Sequence, residues 1–348
     1  MNATQFTYAV ARVRALEPKL LDPGDVERML GANTARESYK ILNDLSYATH
    51  IGDIEDIANF QEVITAGLAD SKEVLDRICP DSRILDLLFF RYDVHNIKTI
   101  LKGIRSEKNR EDIEVHLLPL GRVPLEDMLR FFFEKDHGHL PLTPEYVDLI
   151  KTGIARAEKL YEDNENDPRL LDLALDQMLI QLQNQIAKEI NHPFVSNFVK
   201  STIDLTNIKT FMRVKWLKQE SYFTENNRAQ TLFGEGGKLP CYKFTDFLEA
   251  DPNQLTQIFH GTDYSQIVQK GQEAFERFKS FVYLEKYADE YLMERAKSSR
   301  YQAFGPAALV AYFFAKQNNA HIIRMIMVGK LNGLSDEMLR ERLHTLYV

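Results

Sequence analysis

The chain has 348 residues, 44% hydrophobic and 27% charged, a globular balance that excludes a disordered polyelectrolyte. Its 43 Lys and Arg stand against 51 Asp and Glu, and the net −8 disfavours general nucleic-acid binding, where clustered cations must meet phosphates. Cys79 and Cys241 form neither a zinc spacing nor a disulfide framework, which favours a reducing intracellular setting, and only 16 Gly and 12 Pro leave room for long helices.

From the N-terminus, Ala9, Val13 and Leu16 form one apolar stripe flanked by Arg12 and Arg14, which leaves no signal-peptide core. This helix is expected to pack within the first third of the chain and against the C-terminal segment around Leu339 and Leu343. Asp22-Pro23, Thr143-Pro144, Asp167-Pro168 and Asp251-Pro252 each put a capping side chain before a first-turn proline, and Thr34 with Glu37 reads as a capping box. Long periodic runs follow at Leu170–Ile190 and Tyr264–Ala296, and strand alternation between turns is nearly absent. The longest uncharged stretch, Tyr301 to Ala315, is 15 residues, short of the roughly 20 that span a bilayer, and reads as a buried helix. The fold class is therefore all-α.

The chain also repeats itself. Asp93-x-x-Asn96-Ile97-Lys98-Thr99 recurs 111 residues later as Asp204-x-x-Asn207-Ile208-Lys209-Thr210. A further step of 115 residues from Asp204 reaches Asn319, where Ile323 and Arg324 take the Ile-Lys places and Ile322 replaces the asparagine. A weaker echo links Val26–Leu30, Leu125–Leu129 and Phe244–Leu248. The chain is accordingly read as three helical repeat units, 1–110, 111–222 and 223–348. The middle unit is acidic, with 13 Lys and Arg against 19 Asp and Glu, and is expected to offer a surface to a basic partner.

In the first copy Phe90, Val94, Ile97 and Leu101 share one helical stripe, bordered by Asp93 and Asn96 on one side and Lys98 on the other. Two roles fit the repeat-motif residues Asp93, Asn96, Lys98, Asp204, Asn207, Lys209 and Arg324. The acids and amides can hydrogen-bond a neighbouring helix end or backbone, or point into a shared cavity and touch a partner.

Catalytic signals are thin. Phe233-Gly-Glu-Gly-Gly-Lys238 lacks the spacing of a phosphate loop and reads as a mobile glycine-rich loop. His137 and His139, beside Asp136, have no further ligand at helpful spacing and read as a surface loop. Cys79 precedes Pro80 and reads as a structural thiol; Phe131–Phe133 and Tyr312–Phe314 read as core. No residue is assigned to catalysis, a cofactor or a metal.

The chain resembles the C subunits of the bacterial and archaeal V-type (A-type) ATPases, homologues of the eukaryotic V-ATPase d subunit. The resemblance rests on Tyr8–Leu16, Phe90–Gly103, Asp204–Thr210 and Ala315–Gly333, which span nearly the whole chain. It implies three similar all-helical domains arranged with pseudo-threefold symmetry into a funnel. It further implies a non-catalytic central-stalk subunit on the cytoplasmic face of the membrane, without a cofactor. The partners it implies are the shaft subunits D and F and the rotor ring of c/K subunits, between which torque would pass for proton or sodium transport. The resemblance puts a polar role for Asn319 and Ile322 in doubt, since the family usually carries an acid and an asparagine there. The competing readings are an unrelated α-helical repeat scaffold that binds other proteins and, more remotely, an all-helical enzyme.

Overall fold

The structure, a computed structural model, describes residues 3–42, 45, 57–134, 140–219, 222–223, 229, 231–250 and 254–348. Among the described residues there are helices and no strand. In chain order the α-helices are α1 (Thr7–Leu16), α2 (Pro23–Gly31), α3 (Ala35–Ile41), α4 (Phe60–Ile78), α5 (Ser82–Arg105), α6 (Arg110–Glu114), α7 (Leu125–Phe133) and α8 (Pro144–Glu162). They continue as α9 (Pro168–Ile190), α10 (Pro193–Trp216), α11 (Tyr242–Thr245), α12 (Leu255–Ile258), α13 (Ser265–Phe278), α14 (Val282–Lys297), α15 (Ala307–Leu331) and α16 (Asp336–Arg342).

Helix starts follow local chemistry. Asp22 caps α2 by accepting from the Asp25 N–H, and Asp25 accepts in return from the Asp22 N–H, a full capping box with Pro23 at the first turn. Asp167 caps α9 through the Arg169 N–H. Two expectations are corrected. Thr34 accepts from the Glu37 N–H, but the Glu37 carboxylate reaches past it to the Asn33 N–H, so the box is offset by one residue. Thr143 makes no side-chain cap to α8, leaving Pro144 to set that start. The Asp251-Pro252 cap lies outside the described residues. The Tyr264–Ala296 run is two helices, parted where Lys279 takes a left-handed φ of 52° at the end of α13.

The chain divides into two compact units. One joins its ends, Met1–Ile84 with Asp263–Val348. Its spine is α15, the latter half of the uncharged stretch and beyond, with Leu309, Phe313, Ile323, Ile326 and Met327 fully buried. Helices α1, α3 and α4 pack on it, as do α14 and α16. Here the C-terminal tail meets the N-terminal segment through Tyr347, whose hydroxyl donates to Oε1 of Glu17, just past α1 (3.0 Å), and accepts from Arg14 of α1 (3.5 Å). Leu339 instead lies over Gly329 of α15.

The other unit, Leu85–Thr262, is continuous in sequence. Helices α8 and α9 form an antiparallel hairpin, and α10 packs on α9. The α10 residue Phe211 gathers Phe233, Phe244 and Phe259 at centroid distances of 6.3, 5.9 and 6.0 Å, all four buried. This aromatic core fixes the loop beside the second motif copy. No described helix is long and apolar enough to cross a membrane.

Candidate functional site: the repeated helix-to-loop clamps

Each repeat-motif helix grips a loop. Asp93 and Asn96 sit one turn apart on α5, both buried. Asp93 Oδ2 accepts the Arg122 N–H (2.8 Å) and Oδ1 the Val123 N–H (3.0 Å). The Asn96 amide pairs with Leu118 at both ends, accepting from its N–H and donating to its carbonyl, each at 2.9 Å. Two side chains on adjacent turns therefore satisfy backbone groups at both ends of a short stretch of loop.

The second copy on α10 repeats this atom for atom. Asp204 accepts the Lys238 and Leu239 N–H groups, both at 3.0 Å, and Asn207 pairs with both ends of Gly234 at 2.9 Å. Gly121 and Gly237 hold equivalent places, and a Cβ there would lie 2.1 Å from Asp93 Oδ1 and 2.0 Å from Asp204 Oδ1. Only a residue without a side chain lets the carboxylate approach so near. Within the loop Phe233–Lys238 the Gly234 N–H thus goes to the Asn207 amide and the Lys238 N–H to the Asp204 carboxylate. Beside it Cys241 donates to the Gly234 carbonyl (3.3 Å), and burial, then Glu235 and Asp204, push its pKa up to about 12. A cavity of about 390 Å³ opens there, lined by residues including Arg156, Gln177, Gln181 and Tyr242.

The third copy differs in chemistry and in connectivity. With its amide oriented so that both ends are satisfied, Asn319 on α15 accepts the Leu21 N–H (2.8 Å) and donates to Ala315 O (3.1 Å). Leu21 stands two residues before Pro23, as Arg122 stands before Pro124 and Lys238 before Pro240. The partner loop therefore comes from the start of the chain. Asn319 keeps a polar role that the resemblance put in doubt, whereas Ile322 is apolar core. Leu20 fills the glycine place, and the next N–H, that of Asp22, is already taken by the Asp25 carboxylate.

A second tie was missed in the sequence. Lys215, eleven residues beyond Asp204 and 3% exposed, donates to the carbonyls of Leu248 (2.6 Å) and Ala250 (2.5 Å). Lys330, eleven beyond Asn319, donates to the carbonyls of Leu30 and Ala32 (2.8 Å) and to Asp336 (2.7 Å). Leu30 and Leu248 are the matching ends of the weaker echo. In both cases an ammonium caps free carbonyls, at the end of α2 for Lys330 and in the turn that follows α11 for Lys215. The first copy has Ile104 in that place, and α7 runs on past Leu129 to Phe133, so the equivalent carbonyl lies inside a helix.

The cations of the motif go elsewhere. Lys98 pairs with Asp176 of α9 (2.7 Å), next to Lys102 with Asp172 (2.7 Å) and Arg105 with Glu162 (2.9 Å). Lys209 is half-buried on α10, and the exposed Arg324 donates to Gln61 Oε1 (2.8 Å). His137 and His139 lie outside the described residues, among which no group of three or more His, Cys, Asp or Glu could hold a metal.

The ATP synthase (C/AC39) subunit family matches residues 9–342. The chain belongs to that family. Its relatives include the C subunit of the A-type ATP synthase of Methanocaldococcus jannaschii, 25% identical over 99% of this chain and 88% of that protein. The C subunit of the V-type sodium ATPase of Enterococcus hirae is 25% identical over 96% of this chain and 97% of its own length. The C subunit of the A-type ATP synthase of Methanosphaera stadtmanae is 25% identical over 95% and 85%. All three clamp helices of this C/AC39 member fall within the matched residues.

Proposed function

We propose that this C/AC39-family member is the non-catalytic socket of a rotary A/V-type ATPase. In this reading it receives the D–F shaft, sits on the cytoplasmic face of the membrane rotor ring, and passes torque between ATP turnover and proton or sodium movement. The observation that carries the reading is the third tie: Asn319 and Lys330 turn back to Leu21 and Leu30. In an open repeat scaffold the last repeat ends at a cap. Here it is completed by the first residues of the chain, so the last repeat is not left open. A part that carries torque must be stiff, and densely packed helices joined by buried polar ties resist shear. The acidic surplus in 111–222 supplies a face for a basic partner, which makes binding sensitive to salt.

The test is reconstitution with purified D–F shaft and detergent-solubilised ring. The protein should co-purify with both, less so as salt rises, and its omission should leave ATP hydrolysis by the soluble head but abolish ATP-driven ion pumping. Normal pumping without it, or binding to neither partner, refutes the role.

A further inference from the structure

The clamps account for the repeat motif but leave the tail, Leu343–Val348, unexplained. It follows α16 as an irregular strand of chain, yet His344 and Tyr347 are buried. Polar contacts button it down at three points. Asn318 Nδ2 donates to the Thr345 carbonyl (3.0 Å), and Arg300 donates to the Tyr347 carbonyl. The Tyr347 hydroxyl lies against Glu17 of the N-terminal segment and Ser299 (3.3 Å).

At the root of the tail sits a histidine pair. The His344 ring stacks on His321 of α15, with centroids 4.5 Å apart and planes 34° from parallel. His344 Nδ1 lies 3.3 Å from Asp289 Oδ2 of α14, and the His344 side chain is 5% exposed. The other charges facing His321 are Glu285 of α14 and Arg324 of α15.

We propose that the C-terminal segment is an acid-releasable strap, held by the His321–His344 stack and freed when His321 takes up a proton. Asp289 can accept one imidazolium. A second would face the first across the stack, with Arg324 opposing it and the carboxylate of Glu285 only partly offsetting it. Desolvation against its neighbours holds the His321 pKa below the ordinary 6.5, outweighing Asp289 and Glu285. A histidine whose pKa is lower in the closed state binds protons more readily in the open one. Closure is therefore full above pH 6.5 and weakens as pH falls below it. Release uncovers the Tyr347 seat between the N-terminal segment and the Ser298–Tyr301 turn.

Hydrogen exchange on the full chain, read as protection factors so that intrinsic pH effects cancel, tests this. Between about pH 7.5 and about pH 5 the peptide carrying Thr345–Val348 should lose protection about tenfold, while α4 and α9 keep theirs. His321→Phe, which stacks but cannot take a proton, should hold the tail at the acid end of that range. Asp289→Asn should move release to higher pH. Unchanged tail protection in the native chain, an equal loss in α4 and α9, or an undiminished pH response in His321→Phe overturns the proposal.

Discussion

The second and third junctions do one job with different parts. At the second, α10 holds the loop that follows it in the chain, through a carboxylate on two N–H groups, an asparagine on Gly234 and a lysine on two carbonyls. At the third, α15 holds a loop from the opposite end of the chain through one amide and the equivalent lysine. The lysine is common to both because both partner helices stop early and expose carbonyls. The anion is not: the second N–H it would bind, that of Asp22, already pairs with Asp25, and Leu20 stands where Gly237 does. The difference teaches that the acid and the glycine form one device, lost together, while the lysine answers a separate need set by the length of the partner helix.

The largest effect should separate the two junctions directly. Asp204→Ala strips the acceptor from two part-buried N–H groups and leaves a buried cavity in α10, and should lower unfolding free energy by about 3 kcal/mol. Asn319→Ala removes one such bond and should cost about 1 kcal/mol. Urea titration of the two variants gives both numbers, and equal losses would leave the comparison without energetic content. Next, Lys215→Met and Lys330→Met keep the stem and remove the ammonium, leaving carbonyls without their cap. Each should cost about 2 kcal/mol, with Lys330→Met the larger because Asp336 also loses its partner. A negligible loss in both would show that water replaces the lysines. The smallest effect sharpens the contrast with the first junction. Ile104→Lys should change stability by no more than about 0.5 kcal/mol, because the carbonyl it would seek lies inside α7. A clear gain would mean a free acceptor is present after all.

How much of this could be read from residues alone follows from distance along the chain. The helices and the first two motif copies were legible because Asp-x-x-Asn on an apolar stripe is a local pattern, and the stripe residues Phe90, Val94, Ile97 and Leu101 are buried as their spacing demands. The targets of Asp93 and Asp204 were not legible, since a carboxylate at a core margin can meet a backbone or a partner equally well. The third tie was hidden twice: its acid had become an amide, and its loop lies at the far end of the sequence. Lys215 and Lys330 resemble the ordinary basic residues of a helix end. Their shared eleven-residue offset from Asp204 and Asn319 was the available signal. It gains meaning only once the carbonyls of Leu30 and Leu248 are seen to lie at or just beyond the end of a short helix. The offset box at Thr34 shows the finest grain of error, since one residue decided which N–H the Glu37 carboxylate found.

The unit built from both chain ends has a consequence for synthesis on the ribosome. Leu21 and the α2 carbonyls emerge early, but the amide and ammonium that hold them come from α15. At roughly 5–20 residues per second that leaves the leading segment waiting about 15–60 s. The contiguous unit Leu85–Thr262 has all its partners first, reversing the usual order in which the N-terminal part folds before the rest. Premature termination before α15 would strand the opening helices without their support, exposing apolar faces that invite chaperones or proteases.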